Sequence, residues 1–170
     1  QLQNNTDFLC VLGTTAETPT LTEEEKKKIK KMVIERVNGR IPILLGVGGN
    51  NTRAIVETLK NDDFTGVDAI LSVVPYYNKP SQEGIYQHYK AISEATDLPI
   101  VLYNVPGRTG VNMKAETTLR IARDFKNVIA VKEASGDITQ MDDIIKNKPA
   151  NFDVISGDDG ITFPLITLGA

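Results

Sequence analysis

A lysine closes the apolar run Val128-Ile129-Ala130-Val131, a position that suits covalent chemistry. Four apolar residues bounded by turn formers read as a short buried strand. Left unpaired in an apolar site, an ammonium group costs on the order of several kcal/mol, and it sheds its proton instead. The neutral amine that remains attacks carbonyl carbon. A strand-end lysine can equally snorkel into water or pair with its neighbour Glu133, and for a lone lysine that is the commoner outcome. The first reading makes Lys132 a candidate Schiff-base residue, and the rest of the chain selects between the two.

Other groups able to hold anions or pass protons stand at the ends of other strand-like runs. Phe8–Leu12 breaks at Gly13, Thr14 and Thr15, and Ile41–Leu45 breaks at Gly46–Asn51, which contains Asn50. Ala69–Val74 leads into Tyr76 and Tyr77, Pro99–Tyr103 into Arg108, and Phe152–Ile155 into Gly157 and Asp158. Helical patterns separate these runs. Thr22 and Glu25 form a capping box ahead of Ile29, Met32, Val33 and Val37, with Gly39 as the stop. Asn51 or Thr52 opens a helix whose inner face is Ile55, Val56 and Leu59, and Ser81 opens one facing inward with Ile85, Tyr89 and Ile92. Leu119, Ile121 and Ala122 mark another helix. Asp137 and Gln140 form a second capping-box pattern before Met141, Ile144 and Ile145.

Strand and helix thus alternate six times, with strand starts roughly 24 to 33 residues apart, the length of one βα unit. Such a series predicts a parallel sheet covered by helices, either a doubly wound open sheet or a (β/α)8 TIM barrel. An open sheet gathers its ligand groups at one switch point, whereas a barrel spreads them over many strand ends, as here. The barrel is expected, as an incomplete central portion of about six βα units in a single domain over 1–170, because a whole barrel needs about 250 residues. The chain starts at Gln1 and stops inside a helical pattern at Ala170, so it is expected to be the middle of a longer enzyme.

Of the 170 residues, 41% are hydrophobic and 24% charged, an ordinary globular composition. A net charge of -3 offers no basic field for nucleic acid, and the lysines at 26–28, 30 and 31 read as the solvated face of a helix behind three glutamates. No apolar stretch is long enough to cross a bilayer, so a cytoplasmic protein is expected. Cys10 is expected to be a buried core thiol, and the only histidine, His88, a surface residue; no metal cluster is foreseen. Gly46–Asn51 fits a dinucleotide loop poorly, because Asn51 stands where the third glycine of G-x-G-x-x-G belongs.

Four stretches carry a more specific signal: Gly13-Thr14-Thr15-Ala16-Glu17, Pro75-Tyr76-Tyr77-Asn78-Lys79-Pro80, Tyr103-Asn104-Val105-Pro106-Gly107-Arg108-Thr109-Gly110 and Val131-Lys132-Glu133-Ala134-Ser135-Gly136. Together, in order and spacing, they resemble the dihydrodipicolinate synthases of the pyruvate-dependent class I aldolase group, over essentially the whole chain. The resemblance implies that Lys132 condenses with pyruvate and that the resulting enamine attacks aspartate semialdehyde, with no cofactor beyond the lysine–pyruvate imine. It implies a proton relay of Thr14, Tyr103 and Tyr77, whose hydroxyls both donate and accept. It assigns Thr15 with Thr14 to the pyruvate carboxylate, Arg108 to the second substrate's carboxylate, and Gly157 to leaving room for substrate.

The resemblance also implies a homodimer or homotetramer in which Tyr77 enters the neighbouring subunit's site, with Tyr76 in the interface. Sialic acid lyases and keto-deoxy-sugar aldolases share the lysine and tyrosine; Arg108 and the Tyr76-Tyr77 pair speak against them. A catalytically inactive binding module is the reading of another class. Ala16 stands where the family usually has glycine, and its methyl group narrows the carboxylate approach unless φ is negative. Feedback by lysine is implied in weakened form, because Asn50 and Tyr76 are kept while Glu23, Lys26 and Ala54 replace the usual contacts.

Overall fold

Each strand ends in a loop on one side of the molecule, and each helix carries the chain back to the other side. In the computed structural model, which describes residues 1–170, six strands accumulate in this way. β1 (Leu9–Val11) leads through two short 3-10 turns to α1 (Glu23–Val37), then β2 (Ile43–Gly46) and α2 (Thr52–Asn61). β3 (Ala69–Val73) precedes α3 (Gln82–Ser93), and β4 (Ile100–Asn104) precedes the single turn α4 (Pro106–Thr109) and α5 (Ala115–Asp124). β5 (Val128–Glu133), α6 (Ile138–Asn147), β6 (Asp153–Ser156) and α7 (Asp159–Leu168) complete the series.

All neighbouring strands are parallel, and their order is β1-β2-β3-β4-β5-β6. An order without reversal has no switch point, so the doubly wound alternative is excluded. The sheet is six consecutive units of a (β/α)8 barrel, as expected. Alternation along each strand sorts side chains onto two faces. Ile43, Leu45, Ile70, Ile100, Leu102 and Val131 pack outward against the helices in the main core. Leu44, Leu71, Val101, Tyr103 and Ala130 form the smaller concave cluster. Register then lays concave residues side by side: Val73 faces Tyr103, Tyr103 faces Lys132, and Lys132 faces Ile155. One strand pair is irregular. Ile100 lies opposite Val128, yet Val101 lies opposite Ala130, so Ile129 is an extra residue in β5.

Gly46 lets two strands converge at the upper rim, since a Cβ there would fall 2.0 Å from the Leu12 carbonyl oxygen. Thr22 and Glu25 close their capping box in both directions. Asp137 caps α6 by accepting from the Gln140 amide, but the Gln140 side chain turns away toward Asn112 and Met113, so the second box is only half formed.

Three burial expectations are corrected. Met32 is 58% exposed, because the buried stripe of α1 runs along Ile29, Val33 and Val37 and leaves it to one side. Cys10 is exposed rather than buried, since its strand position opposite Leu44 turns it onto the concave face. His88 is only 3% exposed, held between α3 and the start of α2, where Thr52 Oγ1 lies 2.7 Å from its Nδ1.

Candidate active site

The last residues of β4 and β5 build the centre of the site. Tyr103 and Lys132 are register partners on the concave face, and Lys132 Nζ lies 4.5 Å from the centroid of the Tyr103 ring. Lys132 is half-buried rather than enclosed on both sides, because the concave face is open. It forms no ion pair, and Glu133 does not serve as its partner: alternation sends Glu133 through the sheet to the convex side, where it is fully buried.

Burial pushes the Tyr103 phenol above its ordinary pKa, while the Arg108 guanidinium and the Thr14 hydroxyl pull it back down. The Arg108 charge and the Thr14 hydroxyl therefore both act on that phenol, although Thr14 and Tyr103 do not close a hydrogen bond. Cys10 looks across the concave face toward the same amine. Its surroundings push the thiol pKa up even though the residue reaches solvent, and the Lys132 charge pulls it down.

Thr14 opens a 3-10 turn at Thr14–Ala16, with the Gly13 carbonyl accepting from the Ala16 amide. Ala16 is not among the residues with positive φ; Glu17, at 53°, takes the left-handed position, so the alanine is accommodated without backbone strain. Arg108 sits exposed in α4, which starts at Pro106 and is tied back by Thr109 Oγ1 donating to the Val105 and Val111 carbonyls. A cavity of about 630 Å³ opens over this end of the sheet, lined by Thr14, Asn50, Tyr76, Tyr103 and Arg108 among others. It continues between α1 and α2, where Lys26, Lys30 and Ala54 line it.

Three other expected residues, Thr15, Tyr77 and Gly157, do not line the cavity. Thr15 is exposed beside the cavity and does not line it. Tyr77 is 86% exposed and does not line the cavity; its φ is 69° and its amide donates to the Thr109 carbonyl at 3.3 Å. Gly157 abuts the Lys132 stem, since a Cβ there would lie 3.1 Å from Lys132 Cε; the space it leaves is taken by the lysine itself.

Directly behind the two central residues lie Asn104, which the sequence offers only as part of a motif, and Glu133, which it offers as a partner for Lys132 and not as a partner for Asn104. The signal was available: if Lys132 faces inward on a strand, the next residue must face the helices, and a carboxyl there needs partners.

The sequence profile of the dihydrodipicolinate synthetase family matches residues 1–170. A 4-hydroxy-tetrahydrodipicolinate synthase of Phocaeicola vulgatus is 88% identical over 170 residues, covering 100% of this chain and 57% of the relative. The crystal structure of dihydrodipicolinate synthase from Thermotoga maritima superposes with a TM-score of 0.96 at 49% identity, covering 99% of this chain and 58% of that one. The chloride-inhibited dihydrodipicolinate synthase from Acinetobacter baumannii, crystallised in complex with pyruvate, superposes with a TM-score of 0.94 at 45% identity, again covering 99% of this chain and 58% of that one. The chain thus spans somewhat more than half the length of the relatives it matches. With the barrel units, the strand-end residues and the profile in agreement over every residue, the chain belongs to the dihydrodipicolinate synthetase family.

Proposed function

We propose that this chain carries the catalytic centre of a Schiff-base lyase that condenses pyruvate with L-aspartate 4-semialdehyde to give 4-hydroxy-tetrahydrodipicolinate, on the route to diaminopimelate and lysine. The observation that carries this reading is the unpaired Lys132 amine, 4.5 Å from the ring of its register partner Tyr103, which in turn lines a cavity together with Thr14 and Arg108. The Lys132 amine adds to the pyruvate ketone carbon, and water leaves to give the imine. A methyl proton is lost to form the enamine, and its carbon bonds to the aldehyde carbon while the aldehyde oxygen takes up a proton. The substrate's own amine then displaces Lys132 from the imine carbon and closes the ring.

Tyr103 and Thr14 serve the proton steps, because a hydroxyl both gives and takes a proton without holding a charge. The Thr14–Thr15 turn receives the pyruvate carboxylate, with Thr15 contributing from the rim. Arg108 supplies the fork for the semialdehyde carboxylate. Tyr77 completes the relay in a neighbouring subunit, a role its exposed position next to Tyr76 supports. The setting is a cytoplasmic homodimer or homotetramer.

Borohydride reduction in the presence of pyruvate tests the reading. A mass increment of one reduced pyruvate on Lys132 is expected, and an unmodified lysine in folded protein contradicts it. Turnover with aspartate semialdehyde against N-acetylneuraminate and keto-deoxy sugars separates this lyase from its chemical neighbours.

A further inference from the structure

Tyr103 and Lys132 are followed, in the same register, by a second pair. Asn104 lies opposite Glu133, both fully buried, on the convex side of the sheet. Asn104 Nδ2 donates to Glu133 Oε1 at 2.6 Å, and Ser135 Oγ donates to Glu133 Oε2 at 2.6 Å. Glu133 is the only acidic side chain in the buried interior, and no cation pairs with it. A carboxyl in such a place is costly to bury and needs hydrogen-bond donors, so its retention asks for a reason. Burial pushes its pKa up, and the hydrogen bonds from Ser135, Asn104 and Gln140 act against that.

The reason lies in the strand pair itself. β4 and β5 are the neighbours whose register shifts, at Ile100 and Val101. Had the pairing of Ile100 with Val128 continued unshifted, Tyr103 would face Val131, and Lys132 would lie beside outward-facing Asn104. A slip of one residue turns every side chain to the opposite face. The bulge therefore leaves two registers close at hand, and only one of them sets the amine beside the phenol. The Asn104–Glu133 hydrogen bond exists only in that register.

The same asparagine reaches further. Its Oδ1 accepts from the Met113 amide at 3.0 Å, and its Nδ2 also donates to Asn112 Oδ1 at 2.8 Å, which ties down the segment following α4 and Arg108. Gln140 of α6, drawn away from its expected capping role, donates to the Met113 carbonyl at 3.2 Å.

We propose that Asn104 and Glu133 form a positioning clamp that locks β4 and β5 in the register placing Lys132 beside Tyr103, a role that rests on the imine reading above. Neither residue touches substrate. The clamp is a pair of positioning residues acting through the strand ends.

The test measures the rate of borohydride-trapped pyruvate on Lys132 at saturating pyruvate, per folded molecule, in the longest natural chain that carries these residues. Asn104→Asp removes the Nδ2 donor and sets a second carboxyl against Glu133 in a buried place where the two repel, so the amide-to-carboxyl bond is lost. Trapping is expected to slow by about a hundredfold, the scale of a misplaced reacting group. Glu133→Gln alone keeps a side-chain oxygen that accepts from Asn104 Nδ2 in the same register, and is expected to stay within about threefold of the parent. Combining the two substitutions exchanges donor and acceptor across the strands, and is expected to recover at least about tenfold of the loss. A purely structural role would lower the melting temperature of Asn104→Asp while leaving the trapping rate per folded molecule unchanged; that result, or a double variant no faster than the single, overturns the clamp. A parent protein that traps no pyruvate overturns the imine reading and the clamp with it.

Discussion

A methyl group at position 157 would meet Ala134 Cβ at 3.0 Å, the Glu133 carbonyl oxygen at 3.1 Å and Lys132 Cε at 3.1 Å. The first two belong to or sit directly on the backbone at and just past the end of β5, so the flexible lysine stem must yield. Gly157→Ala is therefore expected to slow imine formation by about tenfold or more, since small displacements of a reacting group cost large factors in rate. Overpacking should cost about 1–3 kcal/mol in stability. Pyruvate trapping together with a denaturation curve checks both, and trapping at the parent rate contradicts the contact as drawn. Arg108 is expected to behave differently, because it stands at the cavity rim without an ion-pair partner. Arg108→Ala should leave imine formation nearly intact and weaken use of the semialdehyde by about 2 kcal/mol, the scale of one charge-assisted hydrogen bond. Steady-state kinetics beside single-turnover trapping separates the two steps, and equal losses in both contradict the assignment.

At the scale of elements, the seam between α2 and α3 holds a titratable group. His88 is 3% exposed; Thr52 is the partner of its Nδ1, and Nε2 has none. Burial lowers its pKa from 6.5 to about 4, which means the folded state keeps the imidazole neutral where the unfolded chain already binds a proton. Stability from this group is fully present above pH 6.5 and is lost as pH falls toward about 4. At about 1.36 kcal/mol per pKa unit, the loss reaches about 3 kcal/mol at most. Urea denaturation between about pH 7 and about pH 4 should show this slope, and His88→Asn should flatten it. Identical slopes in the two proteins would remove His88 as the cause.

For the whole molecule, the two outer strands matter most. β1 and β6 each have one paired neighbour, so both present open backbone edges, and Phe163 and Ile166 of α7 are 76% and 61% exposed. Open parallel edges beside apolar side chains invite association. Expressed alone, these 170 residues are expected to elute well above 18.6 kDa in size-exclusion chromatography and to bind a hydrophobic dye. A sharp monomeric peak without dye binding contradicts this.

The order of the βα units, the strand-end positions of Thr14, Tyr103, Arg108 and Lys132, and the caps at Thr22 and Ser81 were legible in the sequence. Each is a local property: a period of apolar residues, a breaker, a hydroxyl three residues before an amide. What the tertiary structure alone decided is which side of each element meets protein and which meets space. The concave opening exposed Cys10, the packing of α3 on α2 buried His88, and Gln140 left its cap for a network reaching from β4 to α6. The bulge in β5 belongs here too, because the phase between two strands is a relation between distant segments, and no spacing within either one encodes it.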